Sequence, residues 1–380
     1  MRATLICYPL CISLAGCTLF PFGGSPNSSP AGQPSPVGHG FIEYRAAFHV
    51  HSYLSHDSEG EIEDIAEAAK LLGLDAVILT DHYEEGNIAR APRATHRGVL
   101  FLPGVEDRGV RGGSVCAFPL QEDYDAKVSK QARQNEYERQ DAVLVLGHVE
   151  KLETSSPGRY SAFEVYNLHA EFTAASRFGI VWRFLFLPAD AFFERAIKTP
   201  VDNLAAWDRE HARGLRLAAL AGHDAHANVS ILGAVIGTYA EVLRLFSNHI
   251  LAPELTVEAI AEAIRAGRTF IVFDYLADGT GFALTYGDPE ASPDERATLG
   301  DEVPYHPGHT LAVSVPVPVD EVKTRVVLLR DGQILRTLES PRFAMKLPGP
   351  GTWRVEVYRD GKLWIVASPI YVHAGFPTQE

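Results

Sequence analysis

The residues of this 380-residue chain best suited to chemistry are histidines and carboxylates, and they recur in closely spaced sets. His49 and His51 lie two apart, as do Asp224 and His226, while Asp81-His82, Glu106 and His148 stand between them. Each alone has an ordinary explanation. A single histidine is more often a hydrogen-bonded surface or core residue than a ligand, and Asp57 or Asp81 by itself would usually cap a helix or close a turn. The conjunction carries the signal. Mixed nitrogen and oxygen donors suit borderline divalent ions such as zinc, manganese or iron, and the absence of cysteine from the set argues against a structural zinc site. Several carboxylates shared among several imidazoles point to more than one ion.

These groups need elements to position them. Ile62, Ile65, Ala66, Ala69 and Leu72 recur at helical spacing from Glu61 to Leu72, with Gly73 as the stop. The run Asp75 to Thr80 follows, and similar short apolar runs recur at Val99 to Leu102, Ala142 to Leu146 and Leu217 to Leu220. Such runs are what buried parallel strands require. A helix from Val257 to Ala266, capped by Thr256 and stopped by Gly267, precedes a strand from Thr269 to Phe273. Strands alternating with helices predict an α/β fold with a parallel sheet, open or closed into a barrel. His49 and His51 close the segment Arg45 to Phe48, so an extended chain sends both side chains from one face, with Val50 opposite. His82, Glu106, His148 and the Asp224/His226 pair each follow another strand. Active sites of parallel α/β folds are built at that C-terminal edge.

Past about residue 300 the texture changes. Leu328 to Leu335 and Val357 to Trp364 each place an Asp-Gly turn between strand-forming residues, the strongest short hairpin signal, and Trp353, Val355 and Val357 alternate with Arg354, Glu356 and Tyr358. A small antiparallel β-sandwich-like domain over 286–380 is expected, without chemistry of its own. At the other end, Arg2 and the apolar stretch Leu5 to Leu14 read as a short secretory signal over 1–16. Leu14-Ala15-Gly16-Cys17 resembles the bacterial lipobox, which implies lipidation at Cys17, and the Gly/Pro/Ser-rich stretch within 17–42 reads as a flexible tether. With Cys7 and Cys11 removed and Cys17 acylated, only Cys116 remains, so no disulfide within the chain is available. The apolar run Phe178 to Leu187 is short and contains Arg183, as a packed helix or lid would. A net charge of -14 without any Lys/Arg block argues against generic nucleic-acid coating. It leaves phosphate esters open, because bound cations reverse the local field.

Taken in order, His49-Val50-His51, Ser55-His56-Asp57, Thr80-Asp81-His82, Gly104-Val105-Glu106, Gly147-His148 and Gly222-His223-Asp224-Ala225-His226 resemble the motifs of the polymerase and histidinol phosphatase (PHP) superfamily. Phe163 to Asn167, Gly267 to Phe270 and the ending Trp364 to Val372 resemble its carbaryl-hydrolase-like branch. The resemblance spans roughly 45–372 and implies a distorted (β/α)7 barrel, here over 43–285, binding two or three divalent ions. It assigns His49, His51, Glu106 and Asp224 to a first ion. Glu106 bridges to a second that also takes His148, and Asp57, His82 and His226 hold a third. Asp57 is preferred to His56 by register. Two departures stand out: Ser114 occupies the place of a family histidine after Glu106, which leaves His169 as the alternative donor, and His223 replaces a small polar residue, as an extra acid/base group or a surface residue.

The activity expected is hydrolysis by a metal-held hydroxide, because ligation brings the pKa of water from 15.7 to about 7. Asp81 would orient the ligands rather than transfer protons. No serine or cysteine nucleophile is needed, since Ser114 and Cys116 lack activating motifs. A small-molecule phosphoester is the first substrate class. A carbamate or carboxylic ester is the second, and a non-catalytic metal-dependent binding protein of the envelope is the third reading. The expected location is the bacterial cell envelope, on a lipid anchor.

Overall fold

The computed structural model describes residues 35–38, 40–109, 111–152, 159–170, 197–227, 229–231, 234–317 and 323–375. The signal, Cys17 and most of the tether lie outside the described residues, as does the apolar run 178–187. All described residues fall in one compact unit, Ala31–Glu380. No helix among them is long and apolar enough to cross a membrane.

The elements that carry the site run in chain order as β1 (Phe41–Val50), α1 (Ile62–Leu71), β2 (Ala76–Leu79), β3 (Asp81–His82), β4 (Val99–Leu102), β5 (Val105–Arg108), β6 (Gly112–Phe118), α2 (Lys130–Arg139), β7 (Val143–Leu152), β8 (Ala162–Asn167), α3 (Val201–Ala212), β9 (Ala218–Gly222), β10 (Ser247–Ala252), α4 (Val257–Arg265) and β11 (Thr269–Val272). Local chemistry explains the ends of the helices. Thr256 Oγ1 accepts the Ala259 N–H, which caps α4 as expected. On α1, Ile65, Ala66, Ala68 and Ala69 are buried in a stripe against the strands, and Gly73 follows the last turn at positive φ.

The strands form two principal sheets. In one, β1 pairs in parallel with β2 and β2 with β4, while β10 pairs antiparallel with β1 and β11 with β10. In the other the order is β9-β8-β7-β6-β5-β3, with parallel outer pairs and antiparallel β5-β6 and β6-β7 steps. Alternate residues of both sheets point at one another. Ala46, Phe48, Ile78 and Leu100 from the first meet Cys116, Phe118, Val145 and Leu220 from the second in one buried cluster, where the Phe48 and Phe118 rings lie 5.8 Å apart. The opposite faces pack beneath α1 and α3.

A closed seven-stranded barrel is not what the hydrogen bonding gives. The sheets are open and separate, and part of the second is antiparallel, because β6 returns directly on β5 with no helix between. The nearest approach to closure is at the strand ends: His223 N–H donates to Phe48 O (2.9 Å), Asp224 N–H to His49 O (2.7 Å) and His51 N–H to Ala225 O (3.0 Å). These three bonds draw the end of β1 against the end of β9, where the chemically suited residues lie.

The C-terminal segment contains β12 (Ala283–Gly287), β13 (Thr310–Ser314), β14 (Thr324–Arg330), β15 (Gln333–Leu338), β16 (Arg342–Lys346), β17 (Gly351–Arg359), β18 (Lys362–Ala367) and β19 (Ile370–His373). Both expected hairpins form. Asp331-Gly332 and Asp360-Gly361 are at positive φ, as the tight turn of a hairpin demands. β12, β13 and β16 make a three-stranded sheet, and Leu284 and Leu311 share a core with Trp353 and Val355 of β17. Strand β18 pairs antiparallel with β11, so hydrogen bonding is continuous between the first sheet and the C-terminal strands.

Candidate metal centre

Eight residues converge at the ends of these strands: His49, His51, Asp57, His82, Glu106, His148, Asp224 and His226. Three sets bring one donor atom per residue within 4.8 Å of one another: His49, His51 and Glu106; His49, His148 and Asp224; and His51, Asp57, His82 and His226. All eight expected ligands are among them. The sharing differs in detail from the expected scheme, because His51 also joins the Asp57 group and His148 stands with Asp224.

The backbone is bent to achieve this. His49 (φ 61°), His148 (φ 44°) and Asp224 (φ 51°) are non-glycine residues in the left-handed region. At His49 the β1-β2 register slips between Phe48 and Val50. The extended geometry expected for His49-Val50-His51 is thus corrected: a bulge turns His49, yet both rings reach the same site, 5.2 Å apart. Such conformations cost about 1–3 kcal/mol each and persist only where the surroundings over-determine them.

The five imidazoles share an orientation, with the difference that His226 Nδ1 also lies 3.6 Å from Asp224 Oδ1. Each Nδ1 faces outward to a supporting oxygen: Glu164 Oε1 for His49 (2.6 Å), Ser55 Oγ for His51 (3.5 Å), Glu106 O for His82 (3.3 Å), Glu150 Oε1 for His148 (3.1 Å) and Asp224 O for His226 (3.0 Å). Each Nε2 faces inward toward carboxylate oxygens. Glu106 Oε2 lies 3.4, 3.7 and 3.6 Å from Nε2 of His49, His51 and His82, and its Oε1 lies 3.3 Å from that of His148. Asp224 Oδ1 lies 3.7 Å from His49 Nε2 and 3.5 Å from His51 Nε2, and Oδ2 lies 3.4 Å from His148 Nε2. Asp57 Oδ2 lies 3.2 Å from His82 Nε2 and 3.4 Å from His226 Nε2. His49 Nε2 and His51 Nε2 are fully buried and have no hydrogen-bond partner among the described residues. Orphaned buried nitrogens facing carboxylates at these separations fit a divalent cation between them, since ligand-to-ligand spacing exceeds hydrogen-bond length when an ion intervenes.

The electrostatics are those of carboxylates enclosed by imidazoles: burial would lower His49, but the neighbouring groups, Glu164, Asp224 and Glu106 among them, raise it well above the ordinary imidazole value. Burial would raise the carboxyl pKa values of Glu106 and Asp224, but the surrounding imidazoles hold both well below the ordinary carboxylate range. His148 is lowered by burial and raised more strongly by Glu106 and Glu150, to about 10. His51, fully buried, is pushed down to about 4. Acceptor carboxylates are therefore ionised, and His51 offers a neutral ring.

Asp81 and His223 stand outside the three sets. Asp81 accepts the Ser52 N–H (2.6 Å) and hydroxyl (3.1 Å) at Oδ1, which ties the loop after His51 to β3, and burial pushes its carboxyl up to about 7. His223 is not brought to the cluster. It is neither an acid/base group in the site nor a surface residue: both ring nitrogens lie on backbone carbonyls, Phe48 O (3.2 Å) and Phe246 O (3.0 Å), and the ring stacks on Phe246. Ser114 faces Gly147, its hydroxyl buried without a partner among the described residues. His169 is exposed at the end of β8, its ring 5.8 Å from that of His226, and belongs to none of the three sets. His56 is exposed, and Asp57 instead joins the Asp57-His82-His226 set.

Sequence reasoning missed the supporting carboxylates Glu164 and Glu150. Glu164 had a signal: it is a charge inside the run Ala162 to Asn167, every residue of which is buried, and a carboxylate there requires partners.

Residues 47–100 match the family described as PHP domain. A comparison with curated proteins finds no match. Among solved structures, the chain is similar to a two-domain protein containing a predicted PHP-like metal-dependent phosphoesterase from Bacteroides vulgatus ATCC 8482, at 15% identity and a TM-score of 0.41, over 90% of this chain and 99% of the other. It is also similar to PsfC from Pseudomonas syringae PB-5123, at 17% identity and a TM-score of 0.37, over 61% and 91% of the two chains. A third similarity is to Endonuclease Q in complex with a 27-mer duplex bearing an abasic lesion, at 15% identity and a TM-score of 0.38, over 59% and 56%.

Proposed function

We propose that this protein is a metal-dependent hydrolase of the PHP type that cleaves a small-molecule phosphoester, held at the cell envelope by a lipid on Cys17. One observation carries the catalytic reading: the imidazoles of the cluster set Nδ1 by a supporting oxygen and Nε2 toward the carboxylates, His226 alone also having a cluster carboxylate, Asp224 Oδ1, 3.6 Å from its Nδ1. Structural histidines have no reason to share that orientation. Ligand histidines do, because the outer hydrogen bond fixes which nitrogen carries the lone pair. The match of residues 47–100 supports the same family.

His49, His51, His82, His148 and His226 with Asp57, Glu106 and Asp224 would hold two or three zinc, manganese or iron ions. Bound there, such ions supply Lewis acidity and a water acidic enough to act as nucleophile near neutral pH. The chain does the rest. Glu106 and Asp224 keep their negative charge through contact with the imidazoles, and each presents both of its oxygens to histidine Nε2 atoms. Asp81 holds Ser52 and with it the His51 to Asp57 loop. The rings of His56 and His82 lie 5.2 Å apart, with His56 exposed to solvent.

A phosphoester is put ahead of an aryl carbamate because cations held by the cluster would attract an anionic substrate. Beside the cluster, reached through Glu150, is a cavity of about 820 Å³ lined by Arg111, Lys198, Arg209 and Arg213 against Glu150, Asp202 and Glu210. Arg111 and Arg213 are both paired with Glu210, so the lining is close to charge-balanced. Turnover of aryl phosphate, phosphodiester and aryl ester substrates, before and after chelation and readdition of each metal, tests the reading. Metal-dependent turnover of the phosphorus esters supports it. Turnover of the aryl ester alone selects a carbamate or carboxylic ester hydrolase, and bound metal without turnover selects a binding protein.

A further inference from the structure

We propose that Glu164 is a positioning residue that fixes the tautomer of His49 and locks it to His148, so that the two rings face one ion as a preset pair. The proposal rests on the metal-centre reading above and goes beyond it to a residue outside the ligand set.

Glu164 lies in the middle of β8 with no exposed surface. Its carboxylate has three donors and no other described hydrogen-bond partner. Oε1 accepts His49 Nδ1–H at 2.6 Å, and Oε2 accepts the backbone N–H of His148 at 2.8 Å and Asn167 Nδ2–H at 3.2 Å. One group thus ties β1, in the first sheet, to β7, in the second. His49 and His148 are both in the left-handed region, so neither orientation follows from regular strand geometry; each needs an external hold. The space for that hold is made by Gly222 on β9. A Cβ there would overlap Oε1, lying 2.9 Å from Glu164 Cδ and 3.1 Å from His49 Cβ.

Chemistry makes the charge necessary rather than the shape. An ionised carboxylate offers acceptors on both oxygens, so every donor around Glu164 is satisfied. Glutamine has the same shape with one acceptor and one NH2. The His148 N–H is a strand amide and cannot reverse, so the amide oxygen must stay with it. The NH2 then faces His49 Nδ1, which must accept, and the ring proton moves to Nε2, the atom that faces Glu106 and Asp224. Glu164→Gln is therefore nearly isosteric yet places a proton where a ligand lone pair belongs. Glu150 supports His148 in the same way but is partly exposed and holds no second strand.

The test uses the full chain with 15N-labelled histidine, loaded with zinc. Zinc affinity is measured by chelator competition in wild type, Glu164→Gln and Ser55→Ala, the last removing an uncharged hydroxyl that contacts His51, Asp57 and the His82 N–H. His49 is assigned by loss of its signals in His49→Gln. The expected result is a wild-type His49 protonated at Nδ1 and metal-bound at Nε2, and a 10–100-fold loss of affinity for the tightest ion in Glu164→Gln. Ser55→Ala should lose clearly less. Wild-type affinity retained in Glu164→Gln, or a wild-type His49 bound through Nδ1, overturns the role of Glu164 while leaving the metal centre standing. No zinc bound by wild type overturns both. If Glu164→Gln does not fold, the wild-type His49 tautomer decides.

Discussion

Gly222→Ala tests the packing on which this site depends. Gly222 is the last residue of β9 and has no positive φ, so alanine meets no backbone strain there. Gly→Ala at a compatible position normally stabilises by about 0.4–1 kcal/mol, by restricting the unfolded chain. Here the sign should reverse. The new methyl would overlap Glu164 Oε1 and sit 2.9 Å from Cδ, while Glu164 is enclosed and tethered by His49, His148 and Asn167. Moving the carboxylate lengthens or breaks the bond to His49, a charged hydrogen bond worth about 1.5–3 kcal/mol. Forcing an extra methyl into a filled core adds about 1–3 kcal/mol. The net is a loss of about 2–5 kcal/mol, read as a lowered urea midpoint in metal-free protein. Zinc affinity should fall as well, because the displaced carboxylate no longer orients His49. The double variant Gly222→Ala/Glu164→Asp should recover part of the stability, since a side chain one methylene shorter vacates the methyl's position. A neutral or stabilising Gly222→Ala, with zinc affinity unchanged, would refute the claim that Glu164 and Gly222 are matched.

Three further outcomes are expected. His223 is fully buried with its pKa pushed down to about 4, so the unfolded chain binds its proton first; stability from this group is complete above about pH 6.5, falls as pH drops toward 4 and changes no further below, about 3 kcal/mol in all. Urea midpoints of metal-free wild type and His223→Gln across that range should differ in slope by about one proton, and parallel slopes would remove the linkage. Ser114→His should raise the number of ions retained on dialysis, because imidazole is a far better ligand than hydroxyl for zinc-like ions; elemental analysis reads it, and unchanged retention with a loss in His169→Ala would make His169 the donor instead. Cys17→Ser should release the protein from the membrane fraction or leave an unprocessed precursor, since acyl chains contribute about 0.8 kcal/mol per buried methylene; unaltered processing and membrane association would exclude lipidation there.

Much of the fold was legible because its signals are local. The Ile62–Leu71 helix, the Val99–Leu102 strand, the Thr256 cap and both Asp-Gly hairpins depend on short-range periodicity and turn chemistry, and each appears within a residue or two of its expected place. Closure of the sheets was not legible in this way. Whether β6 runs parallel or antiparallel to β5 depends on the connection Gly109 to Arg111, whose few residues force a direct return, and a superfamily resemblance does not encode that choice.

The site was legible for a different reason, and illegible where that reason fails. Candidate ligands are chosen by residue type, so histidines and carboxylates after successive strands could be singled out without knowing how the chain bends. His49, His148 and Asp224 occupy a region that non-glycine residues ordinarily avoid, and no strand rule places their side chains correctly. What over-determines them is visible only in three dimensions: the Asp224 N–H on His49 O, the His148 N–H on Glu164 and the Glu164 carboxylate on the His49 ring. These bonds link one strained position to the next, and two of the three end on Glu164. Strain at the three candidate ligands and burial of Glu164 are therefore parts of one arrangement. The same logic explains why His223, beside Asp224 in sequence, was misread. Its neighbour turns toward the cluster at positive φ, so His223 turns into the core, where two carbonyls and Phe246 receive it.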